Sequence, residues 1–402
     1  MVLHSASTRL CSAKHALIAA ALLMHVTSFR TAAATPEYHL TDLGNLGGRL
    51  LLGAETTGKT GDVSDINNVG QVVGAGYLSD DTTSRAFLYQ NGTMTRVLLT
   101  GKEALVANRI NDRGHIMGTY AGPQSGGSQY FLLADGVATP LPLYPGLTYV
   151  AFPLGLTNDD SFYGSLVKQS NGDTHAFVYA GGAYTDFSAA VLGNALGGIS
   201  DINASGAIAG AYYVDATHPR GFIYQNRVLT TLGTIGSGLS SSSEALNNAG
   251  KVVGNATIDA AGSHTHAFLY ENGQMFDLGL PPPVLGLTYT ESFAEDINDT
   301  GTIVGHARLG SGDPHALIWH AGSTSAIDLT TLIDSSGAGW ALDDAVRINN
   351  AGVIVGEGLR ADGNYAMFML TPLPEPAAAG GTFIATVLLL RRRARCYHAS
   401  RP

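Results

Sequence analysis

The chain has 402 residues, 13% of them charged and 45% apolar, with a formal net charge of −10. That apolar share excludes a disordered chain, and the acidic balance argues against nucleic acid, whose phosphates call for clustered Lys and Arg. Glycine fills 51 positions without a period of three, which excludes a collagen-like chain. The charge is uneven: every Asp and Glu lies between Glu37 and Glu375, three of the 22 Lys and Arg precede residue 35, and five follow residue 376. The body therefore carries 14 basic against 32 acidic residues, a net −18, between two purely basic ends.

Residues 1–34 contain Arg9 and Lys14, then the apolar run ALIAAALLM (16–24), then RTAAATPEY. A basic start, a short apolar stretch and an Ala-x-Ala site are the parts of a secretory signal peptide. Cleavage is expected after Ala34, with Ala32 and Ala34 in the two small-residue pockets. The body is expected to begin at residue 35.

A ten-residue pattern then recurs seven times: DINNVGQVVG (65–74), RINDRGHIMG (109–118), GLTNDDSFYG (155–164), DINASGAIAG (201–210), ALNNAGKVVG (245–254), DINDTGTIVG (296–305) and RINNAGVIVG (347–356). Start-to-start spacings are 44, 46, 46, 44, 51 and 51 residues. A second pattern follows each copy: RAFLYQNG (85–92), QYFLLADG (129–136), HAFVYAGG (175–182), RGFIYQNR (220–227), HAFLYENG (266–273), HALIWHAG (315–322) and YAMFML (365–370). In the first unit Ile66 ends a strand, Asn67–Gly70 turn the chain, and Val72 and Val73 start the return strand. Asn and Gly tolerate the backbone angles that such turns need. RAFLYQNG reads as a third strand, Asn91-Gly92 as a hairpin turn, and TMTRVL (93–98) as a fourth strand. Four short antiparallel strands per unit, seven times over, predict an all-β fold, a β-propeller of seven four-stranded blades. The seventh unit stops after its third strand, while YHLTDLGNLGG (38–48) matches the fourth-strand pattern ahead of the first unit. The N-terminal strand is therefore expected to complete the last blade and remove the exposed edge. The HAF triplets at 175–177 and 266–268, with their softened copies, resemble the HAF repeat family of exported bacterial proteins over roughly residues 38–371, within an expected propeller domain 35–371. That resemblance implies an extracellular location and carries no activity.

After the last unit, residues 372–376 form a Pro-rich linker ending in Pro374-Glu375-Pro376. The uncharged run AAAGGTFIATVLLL (377–390) follows, then Arg391, Arg392, Arg393 and Arg395, then the tail 396–402. Clustered Arg after an apolar run fits the positive-inside rule. Fourteen residues rise only about 21 Å as a helix, and snorkelling Arg side chains cover part of the remaining gap. The order resembles the PEP-CTERM sorting signal of Gram-negative bacteria. It implies processing by a membrane enzyme of the exosortase type, transient contact with the inner membrane through 377–390, and release or attachment at the cell surface. The alternative is an unprocessed tail anchor. The only cysteines, Cys11 and Cys396, fall in the segments expected to be removed, so no disulfide is proposed.

Chemistry-bearing motifs are sparse. Asp65-Ile66-Asn67-Asn68-Val69-Gly70 begins like a calcium loop but lacks the acid at position twelve, so Asp65 reads as a turn residue. His175, His266 and His315 share one repeat position, with Arg85, Gln129, Arg220 and Tyr365 assigned to it elsewhere, and are expected to bond a neighbouring blade's loop. His264 and His266 share a strand face as a zinc pair would, without a third ligand at matching spacing. No metal, cofactor or catalytic residue is expected. The loop 278–295, stiffened by Pro281–Pro283, is longer than its counterparts. It shares GLTY with 146–149 and points to Tyr144, Tyr149 and Tyr289 as carbohydrate-stacking residues. The expected role is an exported, non-catalytic surface or matrix protein that binds extracellular polysaccharide or surface proteins. The alternative is an exported propeller enzyme acting on polysaccharide as a lyase or glycosidase, marked by acids and Tyr converging on the central channel.

Overall fold

The computed structural model describes residues 36–46, 61–77, 84–121, 128–145, 149–283 and 288–374. Ala32, Ala34, Glu375, Pro376, the run 377–390, Arg391, Arg392, Arg393, Arg395 and both cysteines lie outside them. The described residues from Glu37 onward belong to one unit.

Each repeat folds as one antiparallel sheet, with strands in chain order. Blade 1 holds Gly61–Ile66, Val72–Tyr77, Ser84–Gln90 and Thr93–Arg96, and blade 2 holds Lys102–Ile110, Ile116–Ala121, Ser128–Ala134 and Val137–Pro140, with the two-residue strand Leu98–Leu99 paired to the start of Lys102–Ile110. Blade 3 holds Tyr149–Leu156, Phe162–Lys168, Thr174–Ala180 and Ala183–Asp186, and blade 4 holds Gly197–Ile202, Ile208–Tyr213, Pro219–Gln225 and Val228–Thr231. Blade 5 holds Ser241–Leu246, Val252–Thr257, Thr265–Glu271 and Gln274–Asp277, and blade 6 holds Tyr289–Ile297, Ile303–Leu309, Pro314–Trp319 and Ile327–Asp328. Blade 7 holds Ala341–Ile348, Ile354–Leu359 and Tyr365–Pro372. The first strand of every blade touches the first strand of the next, and that of blade 7 touches that of blade 1. The ring is therefore closed, and its first strands line the axis: the fold is a seven-bladed β-propeller.

Closure takes the expected form. Tyr38–Asp42 is the outer strand of blade 7, in register from Tyr38 opposite Pro372 to Asp42 opposite Phe368. Tyr38 and Leu40 are buried there. The Glu37 amide donates to the Leu332 carbonyl at 2.7 Å and the Asp334 amide to the Tyr38 carbonyl at 2.9 Å, fastening the strand to the short helical turns that leave blade 6. The degenerate third unit also forms a complete blade, because Phe162 and Phe177 supply the apolar faces.

The two sequence patterns meet inside each blade. The last Gly of the first pattern lies opposite the third-strand aromatic: Gly74 with Phe87, Gly254 with Phe268, Gly356 with Phe368. A Cβ at Gly254 would meet the Phe268 ring at 2.9 Å and run into the Ser242 carbonyl oxygen. These rings are fully buried, each worth roughly 2–3 kcal/mol of transfer free energy. The apolar clusters join neighbouring blades, so the core sits in the seams.

Register corrects one assignment. Phe177 and Phe368 both face the second-strand Gly, which puts Ala366, not Tyr365, at the position of His175.

Candidate functional site

Every inner strand carries a β-bulge at the same repeat position, between Val63 and Asp65, Ala107 and Arg109, Pro153 and Gly155, Ile199 and Asp201, Ser243 and Ala245, Ala294 and Asp296, and Ala345 and Arg347. A bulge re-aims side chains, and here the residue after it comes from a strand lining the axis. Asp65, Arg109, Asp201, Asp296 and Arg347 occupy that place. Gly155 leaves it open, and the Tyr163 ring packs where its Cβ would be. The Tyr163 hydroxyl donates to Asp201 Oδ1 at 3.1 Å.

Burial raises the carboxyls of Asp65 and Asp201 above the usual carboxylate range and brings Asp296 to about 6. Burial also pushes the Tyr163 hydroxyl well up, assisted by the Asp201 charge. Acids and a Tyr thus converge on the axis as a propeller enzyme would require, and each acid also accepts two backbone amides. Asp65 accepts from the Ile66 amide at 3.0 Å and from the Ile110 amide of blade 2 at 2.9 Å. Asp201 accepts from Ile202 at 2.7 Å and from Leu246 of blade 5 at 2.8 Å. Asp296 accepts from Ile297 at 2.8 Å and from Ile348 of blade 7 at 2.9 Å. These acids fasten one blade to the next, a wider role than the turn residue read from the sequence.

The turn asparagines form a second set of fasteners. Asn67, Asn111, Asn203, Asn247, Asn298 and Asn349 are each buried. Their Nδ2 groups donate to the carbonyls of Asn111, Thr157, Asn247, Asn298, Asn349 and Asn67 of the next blade at 3.0–3.2 Å. An outer ladder runs beside it: the amides of Asn68, Asp112, Ala204, Asn248, Asp299 and Asn350 donate to side-chain oxygens of Asp112, Asn158, Asn248, Asp299, Asn350 and Asn68. Both ladders break between blades 3 and 4. Thr157 has no side-chain amide to give, and Ala204 has no side-chain oxygen to receive the Asn158 backbone amide.

Each of the repeated histidines pairs with an Asp of its own blade. His175 pairs with Asp186 at 2.9 Å, His266 with Asp277 at 3.0 Å and His315 with Asp328 at 2.9 Å, each Asp closing its blade's outer strand. Asp328 holds His315 above its ordinary value. His264 pairs with Asp259 at 2.9 Å.

Of the three tyrosines marked as stacking residues, the structure describes the side chains of Tyr144 and Tyr289. Tyr289 is 5% exposed; its hydroxyl contacts His315 Nδ1 at 3.2 Å and donates to Asp328 Oδ2 at 3.4 Å. Its ring is a packing element of the cluster between blades 5 and 6, edge-on to the His315 ring at 5.5 Å. Tyr144 is half-buried with its ring 5.3 Å from that of Tyr184. Tyr149 opens the inner strand of blade 3, and its side chain lies outside the described residues.

Two cavities open at seams instead. One, of about 780 Å³, lies between blades 3 and 4, lined by Asn171, Asp173, Asn194, Tyr212, Tyr213 and Asp215 among others. Tyr213 is 45% exposed there. Tyr212 is fixed by its hydroxyl 2.7 Å from Thr231 Oγ1 and by its edge-on ring against Phe222. The sequence signal was the paired Tyr at the end of a second strand, where blades 1, 2, 5 and 7 do not place two aromatics. The other cavity, of about 820 Å³, lies between blades 6 and 7 and includes His306, Arg308, Asp343, Asp344, Glu357 and Tyr365 in its lining. Among the described residues, no helix is long and apolar enough to cross a membrane.

The geometry defines the class: a closed propeller with fastened blades and polar cavities at two seams. No family model matches the chain, and no curated protein matches it. Among solved structures, the β-propeller domain of the trilobed protease from Pyrococcus furiosus is 10% identical, with 79% of this chain and 98% of that one covered and a TM-score of 0.47. YCF48 bound to D1 peptide is 10% identical, with 86% and 98% covered and a TM-score of 0.44. The Aleuria aurantia lectin in complex with Fucα1-6GlcNAc is 11% identical, with 79% and 98% covered and a TM-score of 0.35.

Proposed function

We propose that the chain is an exported, non-catalytic module that binds glycan at the seam between blades 3 and 4. The cavity beside Tyr213 carries this reading. An exposed aromatic face bordered by Asn171, Asp173, Asn194 and Asp215 suits a ligand with an apolar CH face and many hydroxyls, because the ring takes the first and the amides and carboxylates take the second. The ends of the sequence support export: the signal-like residues 1–34, with Ala32 and Ala34 at the cleavage site, and the PEP-CTERM-like segment from Pro374 to Arg395, on which an exosortase-type enzyme would act. The body, net −18 by composition, would stay soluble in the space beyond.

One observation favours the enzyme alternative, the buried Tyr163–Asp201 contact at the axis. Incubating the mature ring with extracellular polysaccharides of defined composition separates the readings. The expected result is binding, weakened at least about tenfold in Tyr213→Ala, with no release of reducing ends. Binding unchanged in Tyr213→Ala would remove this seam as the site. Release of fragments, abolished in Tyr163→Phe, would establish the enzyme instead.

A further inference from the structure

The seven seams are built on one plan, so each serves as a control for the others. Three repeat positions recur at every seam: the bulge residue of one inner strand, the residue after the second-strand Gly of the same blade, and the residue two before the bulge residue of the next inner strand. From blade 1 onward the trios are Ser64, Ala75, Val106; Asn108, Thr119, Phe152; Leu154, Ser165, Gly198; Ser200, Ala211, Ser242; Glu244, Asn255, Phe293; Glu295, His306, Asp344; and Val346, Glu357, Asp62. Their proximity shows directly at several seams. A Cβ on Gly198 would lie 3.3 Å from Ser165 Oγ. The Ala294 amide, next to Phe293, donates to Asn255 Oδ1 at 2.9 Å, and the Val63 amide, next to Asp62, donates to Glu357 Oε1 at 3.3 Å.

The seam between blades 6 and 7 alone fills all three places with metal-ligating side chains. His306 Nδ1 lies 3.2 Å from Asp344 Oδ1 and 3.6 Å from Glu295 Oε1, and the three ligand atoms all fall within 4.8 Å of one another. Atoms bound to one ion at about 2.0–2.2 Å sit roughly 3–4 Å apart. The imidazole is oriented by stacking on Phe293, 4.8 Å between centroids, and Arg308 covers the other part of that ring at 5.1 Å. Three different strands hold the ligands, so the sheets pre-organise them. The neighbouring seam shows what the fold itself requires: there Asn255 Nδ2 donates to Glu244 Oε1 at 3.4 Å, and no second acid is present. His306 and Asp344 both line the 820 Å³ cavity, which supplies an entry path and room for water or ligand oxygens to complete the coordination.

We propose that Glu295, His306 and Asp344 bind one divalent transition-metal ion at the floor of this cavity. An imidazole nitrogen with two carboxylate oxygens favours Zn²⁺ or Mn²⁺ over Ca²⁺ and Mg²⁺, which prefer oxygen alone. The proposal is independent of glycan binding at the other seam.

The test uses the full mature chain stripped with a chelator and titrated with ZnCl₂ by calorimetry. One tight site per chain is expected, and saturating Zn²⁺ raises the melting temperature by several degrees. His306→Asn places at this seam what Asn255 places at the next, so the ring should fold with an unchanged melt in chelator. Tight Zn²⁺ binding should weaken by at least about tenfold, with the metal-induced melt shift gone. Asp344→Ser, which copies Ser242, should behave alike and serves if the first variant does not fold. Absence of tight binding to the unmutated chain would overturn the proposal. So would equal affinity and stoichiometry in both variants, which would assign the metal to exposed pairs such as His218–Asp215 or His264–Asp259.

Discussion

Asn67 and Asp65 carry more than the turn that the sequence makes plain. Asn67 Oδ1 accepts the Val69 and Gln71 amides within its own hairpin, the local capping expected of a turn residue. Its Nδ2, reaching a carbonyl 44 residues away, is invisible in a local reading because the partner belongs to the next blade. The same limit hid the axial carboxylates, whose second acceptor bond always goes to the following blade. Their burial has a consequence for stability. A carboxyl whose folded pKa is raised stabilises the fold below its unfolded value, and that contribution is lost as pH rises through the folded value. For Asp296, brought to about 6 by burial, the loss runs from about pH 4 to about pH 6. Thermal melts across this window should therefore fall less steeply in Asp296→Asn than in the unmutated ring; parallel slopes would mean that Asp296 does not titrate there.

At the scale of elements, two features were legible for physical reasons and one was not. The hairpin pattern was legible because Asn and Gly must sit where the chain turns. The supplied outer strand was legible because blade 7 lacks a partner for Tyr365–Pro372. The place of Tyr289 was not legible: the tetrapeptide it shares with 146–149 reads as a loop, and only the fold shows that it opens an inner strand and is buried. The closing strand is the element with the sharpest prediction. Removing residues 37–43 takes away Tyr38, Leu40 and Leu43, each buried, and exposes the edge of Tyr365–Pro372 that they cover. Burial of three such side chains is worth about 5–8 kcal/mol, so the melting temperature should drop by roughly 10 °C or more. A truncated ring that melts with the intact one would refute closure by this strand.

For the whole molecule, the repeat explains rigidity and its interruptions explain the candidate sites. Seven copies of two in-register patterns sufficed for the blade count, since four strands in about 46 residues leave little other choice. The sites were not legible, because ligands such as Glu295, His306 and Asp344 become neighbours only when blades stack. The glycan cavity sits at the seam where both ladders fail, and the metal trio sits where a shared plan is filled differently. The central claim is that the two turn ladders clasp the ring at six seams and have no rung at the seam between blades 3 and 4. Hydrogen exchange of the turn amides tests it most directly. The amides of Asn68, Asp112, Ala204, Asn248, Asp299 and Asn350 should be protected by the next blade, while that of Asn158 should exchange well ahead of them. Equal protection at all seven turns would contradict the account.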